Sequence, residues 1–582
     1  MKRCPQCRRD YFDETLLYCL DDGSALLEGP AMSEPGAVAT GFSVEPDDEP
    51  ATAILSEPPA SAGGQFDSEA ATRPQIRTTT NDGGEPPDTA SSRNTLIAGA
   101  LGIVVITALG LGSYLYYGRG SSQQIESIAV MPFVNENGNT ELEYLSDGMT
   151  DTLINTLSQV PNLNVKARSS VFRYKGREID PKKIAADLSV QAILNGRVVQ
   201  RGDALTLYLE LVDAQTGNVI WGDHYDRKTA DLVALQSEIA RDVSQKLRIK
   251  LSGVDEQKLK KTYTENVEAY NLYLKGRYHV FRLTPPEVQK SITYFQSAID
   301  LDPTYALAYA GLSDAYRSLA LAGEMDPNET LPKSIAAAKK AIEIDDDLAE
   351  AHTALGVCLF WYDWNWTASE AQFKRALELN PNSGITHLYY AHLLSNIGRH
   401  TEALMEAKRA REMEPLSGFV SALEGQFLLH AGRADDALER IRLTSELDPN
   451  FYFPYLFAAS AYIEKGMYAE ALVAARRATE LGPGQTVGTS LTAYVLAKLG
   501  KSDEAQAVLN ELLQLSTRRF VPPYQIAFAY HGLGDTDKAL GYLEKGYQAH
   551  DPKMAFLKVE PKWKDLRSNP RFQEIMQKMK FP

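Results

Sequence analysis

Three cysteines and one aspartate near the start of the chain have the spacing of metal ligands. Cys4 and Cys7 form a C-x-x-C pair, and Cys19 and Asp22 repeat that spacing, with a glycine following. Thiolate sulfur and carboxylate oxygen both bind zinc, so three cysteines and one aspartate can complete a tetrahedral site. We expect a structural zinc ion here, because a segment this short can hardly fold without one. Two alternatives stay open: a degenerate site that holds no metal, and a fourth ligand supplied by Asp21 or by water.

The two halves of this motif, CPQC at 4–7 and CLDDG at 19–23, resemble the short zinc-ribbon family. The resemblance implies a small metal-stabilised fold over residues 1–29. The sequence departs from the family pattern at Asp22, where the second half usually has a cysteine.

Catalytic motifs are missing from the rest of the sequence. It has no H-E-x-x-H, G-x-S-x-G or kinase motif, and its nine histidines are scattered. The GKS at 500–502 lacks the upstream glycine of a phosphate-binding loop, since Val495 stands there, and is expected to be a turn between helices. Cys358 lies between two aliphatic residues on a predicted helix, so we expect a buried apolar side chain. The sequence therefore predicts a protein that is not an enzyme.

Length and charge limit the possible classes of protein. With 582 residues the chain is too long for one core, so several domains are expected. A net charge of -16 argues against general nucleic-acid binding, which needs clustered Lys and Arg. Four cysteines, three of them in one cluster, cannot form a disulfide framework.

The segment between the cysteine cluster and the folded domains has two parts. Residues 30–93 are rich in Pro, Gly, Ser, Ala and acidic residues, a composition that predicts a disordered acidic linker. Residues 95–117 carry no charge. At about 1.5 Å per residue a helix of this length reaches about 34 Å, enough to cross a hydrocarbon core of about 30 Å. We therefore expect a transmembrane helix at 95–117.

The charges that flank this segment favour one orientation. Arg77 and Arg93 precede it and Arg119 follows it, a weak excess of positive charge on the N-terminal side. Thiolate ligands also persist best in a reducing compartment. The sequence thus predicts a single-pass protein of the bacterial inner membrane, with its N-terminus in the cytoplasm and its C-terminal domains outside.

Residues 125–252 have the pattern of one α/β domain. Strands are expected at 127–133 and 164–172 and in three further runs joined by short turns, QAILNGRVVQ, ALTLYLELVDA and NVIWGDHYDR. Helices are expected at 141–160, at 180–188 and from residue 232 onward.

This domain resembles the TolB N-terminal-like (FlgO-like) family. The resemblance rests on IAVMPF at 128–133, YLSDGMTDTLINTLSQVPNLNVKARSS at 144–170, ILNGRVVQRGDALTLYLELVDAQTGNVIW at 193–221 and LVALQSEIARDVSQKL at 232–247. It implies a mixed sheet flanked by helices, without catalytic residues, that serves as a sensing or docking module outside the cytoplasm.

The C-terminal half repeats with a period of 34 residues. Three residue types keep this step: alanines at 403, 437, 471, 505 and 539, glycines at 398, 432, 466, 500 and 534, and prolines at 381, 415, 449 and 483. This period is the signature of tetratricopeptide repeats, pairs of helices A and B that stack into a solenoid. Alanine suits a close A–B contact, glycine a left-handed residue after helix A, and proline the end of helix B. About eight repeats are expected over 267–548, with a capping helix at 549–582.

The resemblance to the tetratricopeptide family also implies where ligands bind. In that family, ligand-facing side chains lie on helix A. The matching positions are Phe360, Trp361, His392, Asn396, Gln426, His430, Ser460, Glu464, Tyr494, Lys498, Phe528 and His531. The set has no run of basic residues of the kind that clamps a peptide carboxylate.

These observations predict a multidomain scaffold that binds protein or peptide partners in the solenoid groove. Two other functions stay open. One is a signalling or transcription regulator whose ribbon contacts nucleic acid or transcription machinery through Lys2, Arg3, Arg8 and Arg9. The other is a purely structural scaffold of the cell envelope. The partner, the signal and the oligomeric state cannot be read from the sequence.

Overall fold

The computed structural model describes most of residues 125–582 and three short segments before them. Within 125–582 the description leaves out residues 140, 141, 161, 178, 179, 248, 250, 283 and 322–324.

The N-terminal unit is described by three two-residue strands. They are β1 (Lys2–Arg3), β2 (Asp10–Tyr11) and β3 (Leu27–Glu28), and β1 pairs antiparallel with both of the others. The predicted zinc ligands Cys4, Cys7, Cys19 and Asp22, the linker at 30–93 and the apolar segment at 95–117 lie outside the described residues. Among the helices that are described, none has both the length and the apolar character needed to cross a bilayer.

The second unit begins with a mixed sheet, as the sequence predicts. Its strands are β4 (Ser127–Val130), β5 (Val134–Asn135), β6 (Asn164–Val165), β7 (Ala192–Arg201), β8 (Ala204–Asp213) and β9 (Val219–Lys228). The strand order is β6-β4-β7-β8-β9, and β5 pairs with the far end of β7. Pairing is parallel from β6 through β7 and antiparallel from β7 through β9. Alternate residues of β8 are buried on one face: Leu205, Leu207, Leu209 and Leu211.

Four helices accompany this sheet. They are α1 (Glu143–Ser158), α2 (Arg168–Val171), α3 (Pro181–Leu188) and α4 (Leu232–Lys246). Asp180 caps α3 by accepting from the Lys182 N–H at 2.9 Å, with Pro181 in the first turn.

The strand expected at 164–172 is wrong beyond its first two residues. Only Asn164–Val165 pairs in the sheet, and α2 with a short 3-10 turn (Phe172–Tyr174) follows. The backbone leaves the sheet because the Ala167 N–H donates to the Met413 carbonyl, in the C-terminal half of the chain, at 3.3 Å.

Eight helix pairs follow a connecting helix, α5 (Gly253–Lys260). In chain order the pairs are α6 (Val267–Val280) with α7 (Pro285–Leu301), α8 (Ala306–Leu321) with α9 (Pro327–Ile344), α10 (Ala349–Trp361) with α11 (Trp366–Leu379), α12 (Gly384–Asn396) with α13 (His400–Met413), α14 (Gly418–His430) with α15 (Ala434–Leu447), α16 (Phe453–Glu464) with α17 (Tyr468–Leu481), α18 (Thr486–Lys498) with α19 (Ser502–Ser516), and α20 (Pro523–Gly532) with α21 (Thr536–Gln548).

The repeating residue types have the conformations that the period predicts. The five glycines have φ between 71° and 91°, the left-handed region that glycine adopts at least cost. The five alanines are fully buried. Each of the four prolines stands two residues after the end of a B helix, where the helix can no longer continue. Cys358 is a buried free cysteine, as expected.

The residues after the last repeat do not form one capping helix. Two 3-10 helices (Pro552–Phe556 and Pro561–Leu566) precede a nine-residue helix, α22 (Pro570–Lys578). A proline begins each of the three pieces and interrupts any continuous helix, because it has no N–H to donate. We call residues 549–582 the C-terminal segment.

Candidate functional site

The C-terminal segment lies on the concave face of the solenoid. Its Phe556 ring contacts three side chains on the inner helices of the third, fourth and fifth repeats. The centroid distances are 6.2 Å to Trp361, 5.4 Å to His392 and 6.1 Å to His430. Phe556 is 5% exposed, so these contacts exclude water from the ring.

A second aromatic side chain anchors the segment on the eighth repeat. Trp563 is fully buried against Tyr524, Phe528 and His531, at centroid distances of 5.4, 5.8 and 5.2 Å. Its indole N–H donates to the Tyr524 hydroxyl at 2.7 Å, which satisfies a donor that would otherwise be buried without a partner.

Polar contacts fix the path of the segment between these two anchors. The Lys558 ammonium donates to the Ile397 carbonyl at 3.0 Å. The Lys562 ammonium pairs with Glu560 at 2.8 Å and donates to the Ser460 hydroxyl at 3.3 Å.

Asp551 fixes the start of the segment. Its carboxylate accepts from the backbone N–H groups of Tyr524 and Lys553, both at 2.9 Å. Burial raises the pKa of this carboxyl to about 6.

The structure therefore differs from the expected open groove. Ten of the twelve predicted groove side chains are buried, and Glu464 and Lys498 are exposed. The buried ones are Phe360, Trp361, His392, Asn396, Gln426, His430, Ser460, Tyr494, Phe528 and His531. Several of them contact the C-terminal segment, which no repeat pattern in the sequence places there.

The α/β domain docks on the loops that join successive repeats. Asn380 donates to the Ser158 hydroxyl at 3.0 Å, and Ser169 donates to the Glu414 carboxylate at 2.5 Å. Arg173 donates to the carbonyls of Leu416 and Leu447, at 2.9 and 2.6 Å. Three successive inter-repeat loops are thus held by one domain.

A cavity of about 1020 Å³ lies between the α/β domain, the inner helices and the C-terminal segment. Near the α/β domain its wall is aromatic. Phe419 from the first turn of α14 lies there with Phe451 and Tyr452, which precede α16, and with Phe453 and Phe457 of that helix. These five side chains are partly exposed, and we call them the aromatic wall.

A second part of the cavity lining is polar, and we call Trp361, His392, Gln426 and Lys553 the polar cluster. The Trp361 indole nitrogen, both ring nitrogens of His392 and the Gln426 carbonyl oxygen are buried and have no hydrogen-bond partner among the described residues. Burial, followed by the nearby His430 and Lys553, lowers the pKa of His392 well below its ordinary value, so its ring is neutral.

Two arginines elsewhere in the lining are paired with aspartates. Arg277 contacts Asp151 at 2.8 Å, and Arg317 contacts Asp314 at 3.0 Å. Sequence reasoning did not find these residues. Arg277 and Arg317 lie outside the exact 34-residue columns, and Asp151 belongs to another domain.

Comparisons with known proteins match parts of the chain. Residues 373–405 match a tetratricopeptide repeat model, and residues 123–242 match the second domain of HilA/YgeH-like transcriptional regulators. The first match covers parts of the third and fourth helix pairs and, together with the eight pairs, supports tetratricopeptide repeats in the C-terminal half. The second covers the α/β domain for which the sequence predicted a TolB-like family.

Two kinds of curated relative are similar to the chain. A Rhizobium meliloti protein that bears an adenylate cyclase name is 30% identical over 40% of this chain. The transcriptional regulator HilA of Salmonella typhimurium is 21% identical over 48% of it. The chain spans 40% and 49% of the length of these two relatives.

Solved structures of repeat proteins are similar to parts of the chain. Pseudomonas aeruginosa pilF is 20% identical over 37% of this chain and 92% of its own length, with a TM-score of 0.29. The Thermus thermophilus repeat protein TTC0263 is 18% identical over 35% of this chain and 99% of its own, also with a TM-score of 0.29.

Proposed function

We propose that this chain is a non-enzymatic scaffold whose solenoid binds polypeptide segments on its concave face. The observation that supports this function is the position of the C-terminal segment. The concave face already holds a polypeptide there, through two aromatic anchors seven residues apart and lysine contacts to backbone and hydroxyl oxygen. Solenoids of helical repeats present extended concave surfaces of this kind to their partners.

A partner would bind by replacing the C-terminal segment on that face. Because the segment is part of the same chain, its effective concentration is high and it competes strongly with any partner. A partner polypeptide therefore needs matching aromatic anchors, or a signal that loosens the segment.

The experiment weakens the segment and supplies it again as a separate peptide. The full chain carrying Phe556→Ala and Trp563→Ala is titrated with a fluorescent peptide of residues 549–582, after circular dichroism has shown that its helices are retained. We expect saturable binding by this variant and weaker binding by the unmodified chain, whose own segment occupies the face. A peptide with the same two alanines is the matched control and should not bind. If the folded variant fails to bind the natural peptide, the segment is a fixed part of the core and the proposed function is wrong.

The proposal extends to the N-terminal region, on the support of its sequence. There the chain carries a zinc ribbon ligated by Cys4, Cys7, Cys19 and Asp22, and a single membrane helix at 95–117. In this proposal the ribbon lies in the bacterial cytoplasm and the repeats lie on the other side of the inner membrane. Zinc analysis of the purified chain and of Cys7→Ser tests the ribbon. Protease accessibility of the repeats in spheroplasts tests the topology, and repeats that stay protected would reverse it.

A transcription regulator is the second candidate function, and the match of residues 123–242 to a domain of such regulators favours it. In that case the N-terminal ribbon would contact nucleic acid or transcription machinery. A gel-shift assay with the full zinc-loaded chain tests this function. Salt-sensitive DNA binding that is lost when Lys2, Arg3, Arg8 and Arg9 become alanine would favour it over the scaffold.

A further inference from the structure

We propose that the cavity between the α/β domain and the solenoid binds an aromatic carboxylate, a small monoanion with a planar apolar body. This inference goes beyond the scaffold function, because the ligand is a small molecule and lies beside the C-terminal segment. The aromatic wall would contact the apolar body of the ligand, and the polar cluster would bind its carboxylate.

The size of the cavity suits a small molecule. Its volume of about 1020 Å³ is at the upper end of the range of about 300–1000 Å³ that ligand pockets usually have. Such pockets are lined mainly by apolar and aromatic side chains, with a few polar groups that orient the ligand. The cavity has this composition.

The aromatic wall and the polar cluster are separated by about the length of a two-ring molecule. Phe419 of the aromatic wall and Gln426 of the polar cluster are seven residues apart on α14. At a rise of about 1.5 Å per residue, their backbones are separated by about 10 Å along the helix. A planar ligand can therefore pack against the wall while its polar end reaches the cluster.

The polar cluster contains two hydrogen-bond donors that lack an acceptor, and the Gln426 carbonyl oxygen and the second His392 ring nitrogen are acceptors that also lack a partner among the described residues. The Trp361 indole N–H and a neutral His392 ring N–H have no partner among the described residues, and their side chains are 7% and 3% exposed. Buried donors of this kind are rare in folded proteins and need an explanation. A carboxylate accepts several such hydrogen bonds at once.

The charge in the cluster favours an anion. Among the described residues, no carboxylate comes within the 4.0 Å ion-pair distance of the Lys553 ammonium, which belongs to the C-terminal segment and lines the cavity. Lys562, Arg277 and Arg317, which also line it, are each paired with a carboxylate. Burial lowers the pKa of Lys553, and the carboxylates of Asp551 and Glu560 oppose this without a direct ion pair, so a ligand carboxylate in contact with the ammonium would stabilise its charge.

Of the five acidic side chains in the lining, Glu560 is the one whose charge acts on Lys553, and it is already paired with Lys562 at 2.8 Å. Asp151 and Asp314 belong to the pairs with arginine. Burial raises the pKa of both Glu350 and Glu414, which favours their neutral forms.

Naphthoate and naphthamide form a matched pair of probes, with the same ring system and nearly the same shape but different charge. Isothermal titration calorimetry on the full chain should show one saturable site for naphthoate, bound at least about tenfold more tightly than naphthamide, since a charged hydrogen bond is worth this much. In Lys553→Gln this preference for the anion should disappear while naphthamide binding stays unchanged. Lys408→Gln removes an exposed lysine of α13 and should behave like the natural chain.

Trp361→Phe provides a second variant that keeps an aromatic ring and removes the indole N–H. It should weaken naphthoate more than about threefold, the lower end for one hydrogen bond. Thermal melts of all variants verify that they remain folded. Absence of a saturable site in the natural chain would overturn the inference, and so would an undiminished preference for naphthoate in folded Lys553→Gln. Either result leaves the outcome of the peptide-binding experiment open, because that experiment measures binding of residues 549–582 and not of a small anion.

Discussion

The ring of Phe556 stacks on the ring of His392, with centroids 5.4 Å apart and an angle of 26° between their planes. His392 lies on the inner helix of the fourth repeat, and Phe556 lies more than 160 residues further along the chain. This one contact joins the end of the chain to the concave face of the solenoid. This contact and the contacts of Trp563 hold the C-terminal segment on the concave face.

Phe556→Ala should lower the free energy of unfolding by about 3–5 kcal/mol, the usual cost of removing a buried phenylalanine ring. Urea unfolding followed by circular dichroism measures the change. Val473→Ala is the control, because Val473 is 71% exposed and its truncation should cost less than about 0.5 kcal/mol. Equal stability of the two variants would show that Phe556 is not buried on the concave face.

Tyr524→Phe should destabilise the chain by about 1–3 kcal/mol, because it leaves the buried Trp563 indole N–H without its acceptor. A double-mutant cycle with Trp563→Phe isolates the pair. The double variant should be more stable than the sum of the single effects predicts, since both polar groups are then gone. Strict additivity would contradict the hydrogen bond.

His430 should make the chain sensitive to acid. Burial lowers its pKa from 6.5 to about 4, so the unfolded chain takes up a proton at this residue before the folded chain does. The stabilising contribution of the neutral ring is therefore complete above about pH 6.5, is lost as the pH falls towards about 4, and amounts to at most about 3 kcal/mol. His430→Gln should lose less stability over this window than the natural chain.

Urea unfolding at several pH values measures this difference, with His224→Gln as the control for loss of an exposed imidazole. Asp551 acts in the opposite sense, because its raised pKa of about 6 makes its contribution fall as the pH rises from about 4 to about 6. That contribution is common to all three proteins and cancels when they are compared. Parallel pH curves for the natural chain and His430→Gln would show that His430 is not buried as a neutral ring.

Two helical glycines should respond oppositely to alanine. A Cβ atom at Gly276 would lie 2.5 Å from the ring of Phe295, which is fully buried, so Gly276→Ala should cost about 1–3 kcal/mol by overpacking. At Gly541 the nearest atom would be 4.0 Å away, on Arg571, so Gly541→Ala should stabilise α21 by about 0.5–1 kcal/mol. Thermal unfolding of both variants tests the pair. A stabilising effect at Gly276 would contradict the A–B contact of the first repeat.

The repeat period was sufficient to predict the helices of the solenoid, because the role of each repeating residue depends on neighbours close in sequence. Gly466 is left-handed after α16 and Ala471 is buried where α17 meets it, and both tasks depend on neighbours close in sequence. The hairpins of the sheet could be predicted for the same reason. The end of strand β6 could not be predicted, because residues 167–173 after it contact loops that lie more than 240 residues away in the sequence.

The repeat pattern also could not predict the path of the C-terminal segment. Phe556 and Trp563 follow the last repeat and share no column with it, so the sequence shows their apolar character but not the surface that they cover. The twelve groove positions were placed on inner helices by family resemblance, and ten of them are buried, several of them in contact with the C-terminal segment. The cavity depends on three separate parts of the chain and has no local signal at all.

Hydrogen–deuterium exchange of residues 552–566 in the full chain tests the central claim most directly. If the C-terminal segment is held on the concave face, the amides of its two 3-10 helices that donate hydrogen bonds, among them those of Met554, Leu557 and Trp563, exchange as slowly as amides of the neighbouring inner helices. Phe556→Ala should speed their exchange and leave β8 unchanged. Exchange at the rate of an unstructured peptide in the natural chain would contradict the account.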